Sequence, residues 1–119
     1  MRKQFPFEKL EVWQDSRKLV AGVPECARVF PKDERFGLTC QLIRAAVSVA
    51  SNLAEGCGRS SYKDQAHGSL METASDLIIA TDLEFTAAAT TDALLEQAYD
   101  LGVRINNLRD SQLRRANES

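Results

Sequence analysis

No apolar run in this sequence exceeds a few residues, so no segment is predicted to span a bilayer and no membrane partner is expected. Histidine occurs once, at His67, and the three cysteines, Cys26, Cys40 and Cys57, form no CxxC pair. That scarcity leaves no paired-ligand spacing for a metal site and predicts free thiols in a reducing cytoplasm, not a disulfide framework. Met1 to Pro6 carries charge with no apolar block behind it, which predicts no signal peptide. Asp64 and Ser69 lie close to His67 in sequence, but a triad is defined by geometry and not by proximity. An ordinary surface histidine near a helix start is the expectation. With no nucleophile–base set and no cofactor motif to read, the chain is expected to be non-enzymatic, without cofactor or metal.

Basic residues are missing from one long segment. Residues 64–100 carry eight acids and no lysine or arginine, whereas residues 1–63 carry eleven bases against seven acids. The net charge is −2, and the pI near 5.4 argues against a duplex-binding surface covering the molecule. The acidic segment reads as a solvated face on two helices or as one side of a charge-complementary contact between subunits or with a basic partner. At 119 residues, 44% apolar and 27% charged, the chain is expected to be a single globular domain.

What is present is helical periodicity, with no strand-period segment. Helices are predicted over about 7–30, 33–57, 61–85 and 91–113, with a polar tail at 114–119, giving an all-α, antiparallel up-and-down four-helix bundle. In the first, Leu10, Trp13, Val20, Val23, Ala27 and Phe30 form the apolar stripe, and Gly22 and Pro24 predict a kink or short break. The third is expected to start at Ser60 or Ser61 and to bury Ala66, Leu70, Ala74, Leu77, Ile78, Thr81 and Phe85. Asp64, Glu72, Asp76 and Asp82 are its polar positions, and Gly68 suggests a close contact or a loop. Thr90 or Thr91 should cap the fourth, which uses Leu94, Ala98, Leu101, Ile105 and Leu108, widened by Leu95 and Val103.

The second helix is apolar almost all round and rich in small residues. Asp33 is expected to cap it, or it begins near Phe36. Gln41, Arg44, Ser48, Ser51, Asn52 and Glu55 recur three or four apart and make a narrow polar stripe. A helix of this pattern is expected to be largely buried, in part by another subunit. The stripe is then a structural network at an interface, or alternatively a functional surface lining a groove. Arg44 and Glu55 should find partners, since a buried unpaired charge is expensive. Asn52 and Glu55 should fasten the helix end, where the last carbonyls lack intrahelical partners.

The central stretch resembles a known family. Glu34-Arg35-Phe36-Gly37-Leu38-Thr39, Gln41-Leu42, Arg44-Ala45-Ala46-Val47-Ser48, Ser51-Asn52, Ala54-Glu55-Gly56 and Gly58-Arg59 are similar to the motif of the small bacterial 23S rRNA intervening-sequence proteins. Leu10 to Gln14, Gly68 to Leu70, Leu77 to Ala80 and Asp82-Leu83 extend the likeness over nearly the whole chain. The chain departs from that pattern by being shorter between Lys63 and Gly68, by Ala50 in place of proline and by Pro24 in the first helix. The resemblance implies a four-helix bundle assembled as a ring-like homopentamer. It also implies relatedness to the accessory protein of diversity-generating retroelements, which works with a reverse transcriptase and nucleic acid.

Two functional expectations follow. The first is an oligomeric scaffold for protein interactions. The alternative is an accessory that binds RNA or DNA, with Arg59, Lys63, Arg104, Arg109, Arg114 and Arg115 as candidate phosphate contacts. The loop Gly56 to Lys63 could present backbone N–H groups to an anion, but it lacks P-loop spacing. A helix C-cap followed by an N-cap explains it without a ligand.

Overall fold

A computed structural model of the chain describes residues 2–56 and 62–108. A 3₁₀ turn, Pro6–Lys9, precedes α1 (Glu11–Ala27). A second 3₁₀ turn, Lys32–Glu34, leads into α2 (Leu38–Gly56), followed by α3 (Tyr62–Asp82) and α4 (Ala88–Asn106). No strand occurs among the described residues. Each helix packs on its neighbour in sequence and α4 returns to α1, closing the square of an up-and-down four-helix bundle.

Hydrogen bonds between helices fix the antiparallel register. Gln41 Nε2 donates to Asp76 Oδ1 at 3.0 Å, and the Ser48 and Ser69 hydroxyls meet at 2.9 Å, so advancing along α2 means retreating along α3. Thr81 and Thr91 hydroxyls meet at 3.1 Å at one end of the α3–α4 pair, and Lys63 Nζ donates to the Leu108 carbonyl at 3.0 Å at the other. Between the helices lies a core of Leu19, Val23, Leu42, Val49, Leu53, Leu70, Leu77 and Ile105, each at most 1% exposed. Burying one such side chain contributes about 1.5–3 kcal/mol.

The helix boundaries differ from the periodicity for local reasons. The first predicted helix is divided at Leu10, which is extended (φ −78°, ψ 118°). The Glu8 carboxylate folds the preceding turn by accepting from Arg2 Nη1 at 3.0 Å and from the Phe5 N–H at 2.6 Å. The Arg2 hydrogen bond and the Phe5 N–H hold its pKa down at about 2. The break predicted at Gly22 and Pro24 does not occur, for α1 runs on to Ala27. Pro24 is exposed, so the carbonyl left without a donor can turn to water. Gly22 has a packing reason: a Cβ there would stand 2.7 Å from Leu94 Cδ2, so glycine lets α1 and α4 approach closely.

The second helix starts at Leu38, not at 33, and Phe36 is 87% exposed in the turn before it. Glu34, not Asp33, caps it, its Oε1 accepting the Leu38 N–H at 3.2 Å. The third ends at Asp82, three residues before Phe85. Glu84 takes a left-handed φ of 62°, the Phe85 N–H reaches the Ala80 carbonyl at 2.9 Å and the Glu84 N–H reaches Thr81 at 3.0 Å. This is a Schellman closure with glutamate where glycine is usual. The fourth helix starts at Ala88, with Ala87 at its N-cap. Thr91 does not cap but is buried, donating back to the Ala88 carbonyl at 3.2 Å. Within the described residues α4 ends at Asn106, and the predicted Ser60 and Ser61 start of the third helix lies outside them.

Gly68 is neither in a loop nor in close contact: it is exposed inside α3, and a Cβ there would meet nothing within 4 Å. Gly68→Ala is therefore expected to raise stability by about 0.5–1 kcal/mol, through lost unfolded-state entropy alone. Glu84→Gly should stabilise by about 1 kcal/mol, by relieving the left-handed residue. Urea denaturation of each variant reads both gains.

Candidate functional site

Apart from Ser51, which faces the α1–α2 side, the α2 stripe lies along the outer edge of the α2–α3 seam. Gln41, Arg44, Ser51 and Glu55 are exposed, while Ser48 and Asn52 are half-buried. The helix is therefore not buried all round within one chain. Its covered face is Leu42, Ala45, Ala46, Val49, Leu53 and Gly56. Among the described residues no ion pair involves Arg44 or Glu55. Exposure removes the desolvation cost that would have demanded one.

Beneath the stripe runs a polar relay. Asn52 Nδ2 donates to the Ser48 carbonyl at 2.9 Å and to its hydroxyl at 3.0 Å, and that hydroxyl meets Ser69. Asn52 thus bonds back one turn and does not reach the last carbonyls of α2. Replacing Asn52 by alanine should cost about 1 kcal/mol or less, the net worth of one such bond. Glu55→Ala should change stability by less than about 0.5 kcal/mol, as usual at an exposed position. Thermal melts of the two variants check this order.

Phe36, Cys40, Gln41, Arg44, Ser48 and Glu72 line a shallow groove of about 510 Å³ over the same seam. Asp76, placed by periodicity among the polar positions of helix three, is 2% exposed. Its Oδ1 accepts from Gln41, and its Oδ2 is buried with no hydrogen-bond partner among the described residues. Burial, with the like charge of Glu72, pushes its pKa up against the pull of Gln41.

Of the candidate phosphate contacts, Lys63 and Arg104 lie among the described residues, and each is engaged within the chain. Arg104 is half-buried between α4 and α1, bonded to Asp15 and within 3.7 Å of both Glu11 and Asp100. Lys63 closes the end of α4 through the Leu108 carbonyl. Arg59, Arg109, Arg114 and Arg115 lie outside the described residues, as does the Cys57–Ser61 part of the candidate anion loop. Cys26 is a buried free thiol whose pKa is raised by that burial, and Cys40 is free and half-buried. His67 sits half-buried near the start of α3, and no cluster of three metal-ligating side chains exists among the described residues. No helix among those residues is long and apolar enough to cross a membrane.

A second surface is not legible from the motif. On α3, Met71 and Ile78 are 43% and 49% exposed, and on α4, Tyr99 and Val103 are 77% and 47% exposed. Helical spacing places each pair on one face. A Cβ on Gly102 would stand 3.4 Å from Met71 Cε, so the two faces adjoin along the α3–α4 seam. Periodicity places Ile78 and Val103 in the core, and the structure does not. Ile78 lies at the edge of its apolar stripe, where spacing alone cannot tell inward from outward, whereas Val103 stands across α4 from Leu94, Ala98, Leu101 and Ile105.

A comparison with curated proteins finds no match. The family model described as 23S rRNA-intervening sequence protein matches residues 8–107, which takes in all four helices up to and including the end of α4. The chain belongs to the 23S rRNA-intervening sequence protein family.

Proposed function

We propose that this protein is a non-enzymatic, self-associating helical scaffold. The observation that carries the reading is the exposure of Met71, Ile78, Tyr99 and Val103 on adjoining helices. Apolar side chains gathered on one face of a single chain mark an interaction surface. The small size of the bundle supports it, since one chain leaves part of α2 and the outer α3–α4 seam uncovered. Five copies is the number that the family resemblance implies.

Nucleic-acid binding beside an RNA- or reverse-transcriptase-containing machine ranks below this reading. Arg104 is neutralised by three carboxylates and Lys63 is committed to a carbonyl, so neither is poised for phosphate. Light scattering on purified protein at micromolar concentration tests the proposal. A mass of several chains is expected, and a clean 13.2 kDa monomer would overturn it.

A further inference from the structure

Among the described residues, two exposed surfaces differ in chemistry. Along the α3–α4 seam, Met71, Ile78, Tyr99 and Val103 form an apolar ridge. Asp82, Asp92 and Glu96 lie on the same two helices, and the whole of residues 64–100 contains no lysine or arginine. Along the opposite α1–α2 seam lies a groove of about 300 Å³, walled by Trp13, Val20, Val47, Ala50 and Ala54. Arg17 forms its rim, stacked over the Trp13 ring at 5.5 Å, and among the described residues no acidic side chain lines it.

A ridge that is apolar and acid-flanked is matched in kind by a groove that is apolar and base-rimmed, and both are on every copy of the chain. Acidic ridges would repel each other if they paired face to face, as would the basic grooves. We infer that the α3–α4 ridge of one copy docks in the α1–α2 groove of the next, with Tyr99 as the buried aromatic anchor. Such a contact is heterologous: each copy uses two different surfaces, and repetition gives a closed ring or an open filament, not a symmetric dimer. An exposed tyrosine entering an apolar groove is the kind of residue that dominates an interface. The inference rests on the self-association reading above and adds which surfaces meet.

Two variants separate the cases. Tyr99→Asp disables the ridge and leaves the groove intact, while Val47→Asp disables the groove and leaves the ridge intact. Both positions are solvent-exposed in the single chain, so the bundle should fold, and circular dichroism verifies it. If either fails to fold, Tyr99→Ala and Val47→Ser replace them. Each variant alone is expected to lose at least about 30-fold in self-affinity, the effect of removing an interface anchor. Mixed in equal amounts, the two should form a complex of two chains and nothing larger, through the one intact ridge and the one intact groove. Raised salt should weaken the wild-type assembly.

If Val47→Asp keeps the wild-type mass while Tyr99→Asp dissociates, the ridge pairs with itself and the head-to-tail contact is wrong. That contact is equally wrong if both variants dissociate but their mixture stays monomeric, or if neither changes the mass. A wild-type chain that is itself monomeric removes the self-association reading, and this contact with it.

Discussion

Leu77→Ala is expected to cost about 2–5 kcal/mol of folding stability, whereas Ile78→Ala, one residue along, should cost less than about 1 kcal/mol. Leu77 is fully buried, so its truncation removes transfer energy and leaves a cavity among the core leucines. Ile78 is 49% exposed, so much of its side chain already meets water, and alanine is the better helix former. Against a typical total of about 5–15 kcal/mol the first change is severe. Urea titration at the lowest workable protein concentration reads both. Equal losses at the two positions would mean that α3 is rotated about its axis, with Ile78 inside.

Asp76→Asn is expected to gain stability relative to the wild type as pH rises from 3 to 7, by about 1–3 kcal/mol, the cost of a buried polar group left without its partner. The physical cause is the environment of Asp76. One carboxylate oxygen accepts from Gln41, the other is buried without a hydrogen-bond partner among the described residues, and Glu72 adds a like charge one turn away. The folded-state pKa is therefore raised above the ordinary value of 3.8. A carboxyl with a raised folded pKa holds its proton more tightly in the folded chain than in the unfolded one. Its contribution is fully present below the unfolded pKa and is lost as pH rises through the folded one. Asparagine cannot ionise and keeps an acceptor for Gln41, so the variant lacks that loss. Titrating groups other than Glu72, which feels the Asp76 charge, act alike in both proteins and cancel in the difference. Parallel pH profiles would show that Asp76 is not a buried charge.

The four helices and their order were legible because leucine, isoleucine and valine recur at helical spacing in each. The rotation of each helix about its axis was legible only in part. In α1 the stripe read from Leu10, Trp13 and Val20 is the half-buried flank, and the centre of the face is Val12, Ser16, Leu19 and Cys26. Ser16 hid that face because serine reads as polar. In the fold its hydroxyl donates to the Trp13 carbonyl at 2.7 Å, which satisfies it without water. Thr73 does the same toward Ser69 at 2.9 Å in α3, and Thr91 toward Ala88 in α4. Asp76 was hidden for a related reason. A carboxylate is assigned to solvent by type, although its position three after Thr73 and four before Ala80 puts it on the covered side. The α2 stripe is legible from spacing alone. Whether it faced solvent or protein depended on α3, whose seam covers Ser48 and Asn52 and leaves Arg44 and Glu55 outside.

The proposed surface pairing leaves little signature in sequence and is to be read in solution. Tyr99 is 77% exposed on a single chain and is the anchor by which copies are held together in the assembly proposed above. Hydroxyl-radical footprinting of Tyr99 across a dilution series reads its accessibility directly. Protection at micromolar protein that is lost on dilution, in step with dissociation, is the predicted result. Reactivity of Tyr99 that stays high and constant at every concentration would contradict it.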